Sequence, residues 1–403
     1  MVQTRVNEPA PPREGETIQV IYFHMYGGNA RDGINKKIIA QTSRLYETGI
    51  RVHLLLVGGI NDACQDYTFL QILPPYTGPG NDILFFKRLY RQHLAKTFIR
   101  SVIREAGPDT VLYLRYPVPI FVTPRDLAHK KTCRVVLECN SIEIKEQKQQ
   151  KYYLKYLYEL AFGRAFRKSA DAIVGVTDEI TRYQVARSGD PDKPHITIGN
   201  GFDVNSVRVR VAPEYAGEEI SVLCVANVSR WHGLDRMLKG MSAYTGPFRI
   251  RFHIAGDGPD VPYLKKIASE MEITDSVTFH GFKTGEDLDR LFDQCHIAVG
   301  SLGIYRKGLS QTSELKAREY CARGIPSIIA CQDPDFPDDY PYVLQVPADD
   351  TPIDIERVLA FAQEVCTDPE HPETMRAYAR DNLDWLPKME KLKTFLETIV
   401  ESG

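Results

Sequence analysis

Apolar residues in this chain fall into two patterns. Some form compact blocks, and others recur every three or four positions over longer stretches. "IQVIYFHM" (18–25), "RVHLLLVGG" (51–59), "DTVLYLRYP" (109–117), "CRVVLEC" (133–139) and "ADAIVGV" (170–176) are compact blocks. Each is too short for a buried helix and is rich in β-branched or aromatic residues, so each predicts a strand covered on both faces. "INKKIIAQTSRLYETG" and the stretch around 145–168 carry the helical period. "HITIGNGFD" (195–203) closes this half. The alternation then restarts with "ISVLCVANV" (220–228), a helix near 234–244, "FRIRFHIAG" (248–256), "SVTFHG" (276–281), "HIAVGSL" (296–302) and "PSIIA" (326–330).

Strands alternating with helices, twice over, predict an α/β chain of two Rossmann-like domains facing across a cleft. The expected divisions are a disordered start at 1–17, a first domain at 18–203, a linker at 204–219, a second domain at 220–380 and a final helix at 381–403. Ligands of such sheets sit beyond the carboxyl ends of the strands.

One stretch asks a sharper question. "GLSQTSELKAREYCARGIP" (308–326) predicts a helix from Glu314 to Arg323, capped by Ser313 and stopped by Gly324 and Pro326. Helical spacing puts Leu315, Glu319 and Ala322 in one stripe, so Glu319 needs a partner. Either Arg323, four residues on, or a hydroxyl-bearing ligand answers that need.

Composition narrows the class. With 43% hydrophobic and 26% charged residues, the chain reads as an ordinary globular protein. No apolar run reaches membrane-spanning length, and the start has no signal-peptide core, so a cytoplasmic location is expected. The eight cysteines form no C-x-x-C pair, and several lie in apolar runs, which predicts reduced core residues. Residues 1–200 hold 28 basic and 20 acidic residues, and the remainder hold 22 and 33. That basic half suits an anionic partner or a membrane surface, or is a chance imbalance across solvated faces. Its two basic, apolar stretches, 85–106 and 145–170, match a seat on an anionic membrane or plain amphipathic domain helices. No RNA-binding motif is present, and nucleic acid is not expected as a partner.

In the second half, three loops carry candidate chemistry after their strands. They are "SRWHGLD" with Ser229, Arg230 and His232, "GDGPD", and "GIYRKGLSQTS" with Arg306 and Lys307. All three belong on one rim of the sheet, where helix N-termini and cations suit phosphate. "GDGPD" lacks the third glycine of a dinucleotide fingerprint, and no P-loop occurs. "DPDFPDD" (333–339) contains an Asp-x-Asp but reads as an exposed loop, and no metal site is expected.

The sequence resembles glycosyltransferase family 4, retaining nucleotide-sugar enzymes of the GT-B fold, over nearly its whole length. The likeness rests on "GGNARDGIN", "NGFD", "VANVSRWHGLDRML", "HIAGDGPD", "VTFHGF" and "SELKAREYCARGIP". The resemblance implies that Glu319 grips the donor ribose and that Gln311, Thr312, Ser313, Glu314 and Leu315 meet the donor, those from Thr312 on through backbone N–H groups at its diphosphate. It implies that Gly256 to Gly258 flank the nucleotide and Phe282 lies near the base. Gly27 and Gly28 would approach the diphosphate from the first domain.

Three positions depart from the family pattern. Gln311 stands where a second Glu is frequent, and Asn227 and His232 stand where Arg and Lys are usual. "ECNSI" (138–142) lacks a frequent His. Arg230, His232 and Lys307 are therefore assigned, with Glu319, to the catalytic side, and Asn227 and Ser229 to the donor. Asn140, Glu143 and Arg115 are assigned to the acceptor, although a surface ion pair explains Arg115 equally well.

The expected function is transfer of a sugar from a nucleotide-diphosphate donor to a glycan or lipid-linked acceptor, in surface polysaccharide or glycoconjugate synthesis. No cofactor is expected. A non-catalytic nucleotide-sugar-binding subunit and another GT-B enzyme, such as an epimerase, are the alternatives.

Overall fold

The computed structural model describes residues 18–24, 33–57, 70–73, 84–117, 122–130 and 132–402. Residues 1–17, the loop with Gly27 and Gly28, and Cys64 lie outside them. The chain forms two compact units. Met1–Ile198 with Trp385–Gly403 make the first, and Gly199–Asp384 make the second. Among the described residues no helix is long and apolar enough to cross a membrane.

The first unit is built on a seven-stranded parallel sheet. Its strands are β1 (Gln19–His24), β2 (Arg51–Val57), β3 (Leu70–Leu73), β4 (Thr110–Tyr116), β5 (Arg134–Cys139), β6 (Ala172–Gly175) and β7 (His195–Thr197). Their spatial order is β3-β2-β1-β4-β5-β6-β7, so the winding reverses between β1 and β4. Alternate residues Val20, Tyr22, Leu54, Val111, Tyr113 and Val136 share one face. Against that face lie α1 (Gly33–Glu47) and α13 (Trp385–Glu401), whose Trp385, Met389, Leu392 and Leu396 are buried there. Lys393 Nζ of α13 donates to the Thr48 carbonyl at 2.9 Å.

The other helices of this unit are α2 (Leu84–Glu105), α3 (Pro124–Ala128), α4 (Glu143–Gln149), α5 (Tyr153–Ser169) and α6 (Asp178–Ser188). The single helix expected at 145–168 is thus two. Lys151 adopts φ 57°, a left-handed conformation that no α-helix continues through. In α2, Ala95, Phe98, Ile99, Val102 and Ile103 are buried, so its apolar stripe faces the core.

The second unit has a six-stranded parallel sheet in the order β10-β9-β8-β11-β12-β13. Its elements in chain order are β8 (Glu219–Val225), α7 (Leu234–Ala243), β9 (Arg249–Ala255), α8 (Val261–Glu270), β10 (Val277–Gly281), α9 (Gly285–Gln294), β11 (Ile297–Val299), α10 (Leu315–Arg323), β12 (Ser327–Ile329), β13 (Val343–Gln345), α11 (Ile355–Cys366) and α12 (His371–Tyr378). Residues 204–219 pack within this unit, where buried Arg210 donates to the Gly324 carbonyl at 2.8 Å. Of the cysteines, 133, 139, 224, 295, 321 and 331 are buried and Cys366 half-buried, all as free thiols.

Helix α10 ends at Gly324 in a left-handed C-cap, as expected, but begins one residue late, with Glu314 as N-cap. The Ser313 hydroxyl instead accepts from the Asn200 N–H at 2.7 Å. The inner face of α10 is Ala317, Arg318, Tyr320, Cys321 and Ala322, whereas Leu315 and Glu319 are only half-buried. Arg318 is fully buried. Its guanidinium donates to Asp333 Oδ1 at 2.8 Å, to Asp333 Oδ2 and Asp335 Oδ2, and to the Asn200 carbonyl at 3.0 Å. The Asp-x-Asp loop read as exposed therefore turns its first aspartate inward, because a buried guanidinium needs carboxylates.

Replacing Arg318 by Met strands the Asp333 carboxylate in the core. The expected cost is about 3–5 kcal/mol of unfolding free energy, read by urea denaturation of both proteins.

Candidate functional site

Four connections leave the carboxyl ends of β8, β9, β10 and β11, and short contacts tie them into one surface. After β9, Gly256 and Gly258 take φ 127° and 154°. A Cβ on Gly256 would stand 1.9 Å from the Ala226 carbonyl oxygen, and one on Gly258 2.2 Å from that of Val228. Only glycine lets this loop lie against the end of β8. There Val228 N donates to Asp257 O at 2.7 Å, and Gly256 N donates to Gly281 O at 2.7 Å. Phe282 follows β10 and is about half exposed, and Asn227 is exposed at the end of β8.

After β8 the chain makes a tight turn, Arg230–His232. The buried Ser229 donates its N–H to His232 Nδ1 at 3.0 Å. This bond leaves the ring proton on Nε2, so His232 presents a donor. Burial, then the charges of Lys316 and Lys307, push its pKa well below the ordinary histidine value. Leu302 N donates to the His232 carbonyl at 2.8 Å and docks the β11 connection onto this turn.

The cations expected to serve the site divide by their partners. Arg306 is held by Asp235 (2.8 and 3.0 Å), by Asp350 (2.6 Å) and by the Arg230 carbonyl (2.9 Å). Arg230 lies 4.8 Å over the Tyr263 ring. Lys307 Nζ sits 4.1 Å over the Trp231 ring, next to His232. The fourth cation, Lys316, did not stand out in the sequence. Its ammonium is buried without a hydrogen-bond partner, and the nearest carboxylate oxygen, Glu314 Oε2, is 3.9 Å away. That oxygen accepts instead from the Ser301 N–H at 3.0 Å, and the buried Ser301 hydroxyl is also unpaired.

Lys316 lies in the first turn of α10, which no side chain caps. Helix N–H groups, an ammonium without a hydrogen bond, a hydroxyl and an imidazole donor together suit an anion. Thr312, buried, donates its N–H to the Gln332 carbonyl at 2.8 Å, and Gln311 bridges to the same strand extension. Ser313 is held by Asn200, and Leu315 opens the helix.

Glu319 lies one turn further on. Its Oε1 accepts from Arg323 Nε at 2.9 Å, and its side chain keeps 23% of its exposure. Arg323 also pairs with Asp289 at 2.6 Å. Arg323 therefore keeps a carboxylate partner without Glu319, whose side chain stays partly exposed.

In the first unit a separate polar cluster lies at the ends of β1, β4 and β5. Glu138 is buried and accepts from Tyr22 (2.7 Å), Lys37 (3.0 Å), Asn140 (2.9 Å) and Arg115 (3.3 Å). Burial works to raise its pKa, but Lys37 and Arg115 overcome that and hold it well below the carboxylate range. Burial pulls Lys37 down to about 8 and His24 down to about 4. Asn140 and Arg115 thus converge on Glu138. Glu143 lies apart, buried against Arg167 (2.9 Å) and Gln184 (2.9 Å). Among the described residues no group of three or more His, Cys, Asp or Glu is placed to hold a metal ion.

The depressed pKa of His232 gives a signed expectation. Between its folded value and the ordinary value near 6.5 the unfolded chain binds the extra proton, so stability is present above 6.5 and lost as pH falls below it. The thermal midpoint is expected to fall from pH 7 to pH 5. A His232→Asn variant, whose Oδ1 keeps the Ser229 contact, should show a shallower fall, and an equal slope would remove His232 from the account.

Comparison with known proteins agrees with this architecture. The family model described as Glycosyltransferase Family 4 matches residues 31–206, and that described as Glycosyl transferases group 1 matches residues 209–329. An uncharacterised glycosyltransferase of Methanocaldococcus jannaschii is 21% identical over 282 residues, covering 68% of this chain and 70% of that one. Among solved structures, sucrose-phosphate synthase from Thermosynechococcus elongatus superposes with TM-score 0.70 at 15% identity, over 96% of this chain and 100% of that one. The Anabaena protein HepE, solved with UDP, gives 0.61 at 13%, over 94% and 100%. The chain therefore belongs to the family 4 glycosyltransferases of the GT-B fold, with a glycosyl transferases group 1 module as its second half.

Proposed function

We propose that the rim of the second unit binds a nucleotide-diphosphate sugar and that the enzyme transfers its sugar, with retention, to a glycan or lipid-linked acceptor. The observation that carries this reading is the buried ammonium of Lys316, which has no hydrogen-bond partner and only a distant carboxylate at 3.9 Å, beside the Nε2–H of His232 and the uncapped start of α10. A buried ammonium without a hydrogen bond is costly unless an anion completes it. A diphosphate meets that need, and Lys307 adds a second charge at the edge. Glu319, partly exposed and with one oxygen on Arg323, suits a ribose diol, and the fold neighbour HepE was solved with UDP and with UDP-glucose.

In this reading the bond from the anomeric carbon to the β-phosphate oxygen breaks while the acceptor oxygen bonds to that carbon. The acceptor's proton passes to the departing phosphate. Lys316, His232, Lys307 and the α10 N–H groups stabilise the charge growing on the leaving group. The chemistry then needs no strong base from the protein and draws its neutralising charge from protein cations. An outward-facing product, such as a surface polysaccharide, is the proposed context.

The test is thermal shift with UDP, UDP-glucose, GDP, ADP and uridine. A diphosphate at a hundred times its Kd adds about 2.7 kcal/mol. Lys316→Met should weaken diphosphate binding about tenfold or more, the worth of a charge-assisted bond, leave uridine binding intact, and hold or raise unliganded stability, because it removes a poorly compensated buried charge. Glu319→Ala should weaken uridine and UDP alike. No shift with any nucleotide would sink the donor site. Nucleotide-sugar binding with no transfer to any acceptor would favour a non-catalytic subunit, a role to which Gln311 in place of a carboxylate lends support.

A further inference from the structure

The two basic, apolar stretches of the first unit differ in where their apolar side chains go. Helix α2 buries its stripe. Helix α5 does not: it buries Glu159, Gly163, Phe166 and Arg167, and turns its leucines outward. Leu154 is 81% exposed, Tyr153 62% and Leu157 58%. Of the ten large hydrophobic residues exposed among those described, six fall between Tyr152 and Phe162. Such a concentration is a patch, not the scatter of single apolar residues that any surface carries.

Charge says what covers it. Arg167 pairs with both Glu143 and Glu159 in the interior, so none of the three contributes to the surface. The surface of α4 and α5 is then left with Lys145, Lys148, Lys151, Lys155, Arg164 and Lys168 against a single acid, Glu146. Lys155 folds its ammonium over the Tyr152 ring at 5.0 Å, and an aromatic ring beside a cation is the pairing favoured at a bilayer interface. A second copy of this chain would bring the same positive charge to its partner and be repelled. Leucine and tyrosine side chains standing out among lysines suit a surface that is apolar below and anionic above.

We propose that α5, with the lysines of α4 and of the turn between them, docks the enzyme on an anionic lipid bilayer, with Leu154 and Leu157 inserted at the acyl boundary. This proposal stands apart from the donor site, because vesicle binding is read without nucleotide.

The experiment is co-sedimentation of the full chain with vesicles of phosphatidylglycerol and phosphatidylcholine, and with phosphatidylcholine alone. Wild type should bind the anionic vesicles and not the neutral ones, and should lose binding at 1 M salt, where the screening length falls to about 3 Å. Leu154→Asp/Leu157→Asp should weaken binding about tenfold or more at an unchanged thermal midpoint, since both positions face solvent. Lys148→Glu/Lys151→Glu should act in the same direction. Equal binding by wild type and the leucine variant would overturn the proposal, and so would no binding to anionic vesicles. A wild-type dimer in solution that the leucine variant converts to monomer would also overturn it, by assigning the patch to a second copy.

Discussion

The second unit depends on one buried guanidinium. Arg318 grips two aspartates of the loop after β12 and the Asn200 carbonyl at the unit's beginning. With Asn200 also holding Ser313, the start of α10 is pinned from two sides. Fixing Arg318 inward fixes the rotation of the helix. At 100° per residue, the side that carries Lys316 and Glu319 must then turn toward the rim. The ion pair thus positions the candidate site without touching it.

Electrostatics at the rim follow the same division of labour. Arg306 is saturated by Asp235 and Asp350, and it braces the Arg230–His232 turn through a backbone carbonyl. Lys316, by contrast, has its neighbouring carboxylate drawn off by the Ser301 N–H. Two cations ten residues apart thus differ in their surroundings: Arg306 is bound by two carboxylates, and Lys316 has no hydrogen bond.

Much of the architecture was legible in the sequence, for local reasons. The compact apolar blocks became β1, β2, β4, β5, β6 and β8 to β12, and Gly324 stopped α10 where its lack of a Cβ allows. The strands β3 and β13 are short edge strands, each followed closely by proline and each defined by its single neighbour, so no compact apolar block marks them. The break at Lys151 has no glycine or proline to announce it. Lys316 was missed because a lysine on a helix reads as solvated, and its burial is decided by segments far away in sequence. The stripe through Leu315 and Glu319 was misplaced because Arg318, not leucine, chose the inner face. The pairing of Glu319 with Arg323 was readable from spacing, but not the second carboxylate, Asp289, that frees it.

The last helix alters the order in which the molecule can be made. The second unit is one continuous segment, so it can close as soon as residue 384 has emerged. The first unit cannot, although its strands are synthesised first. Its core is completed by Trp385, Met389, Leu392 and Leu396. During synthesis the sheet face that receives these residues stays uncovered until residues 385–396 have emerged. The first unit, whose strands precede the second unit in the chain, therefore completes folding after it. For that interval its bare apolar face is the part of the nascent chain most in need of a chaperone.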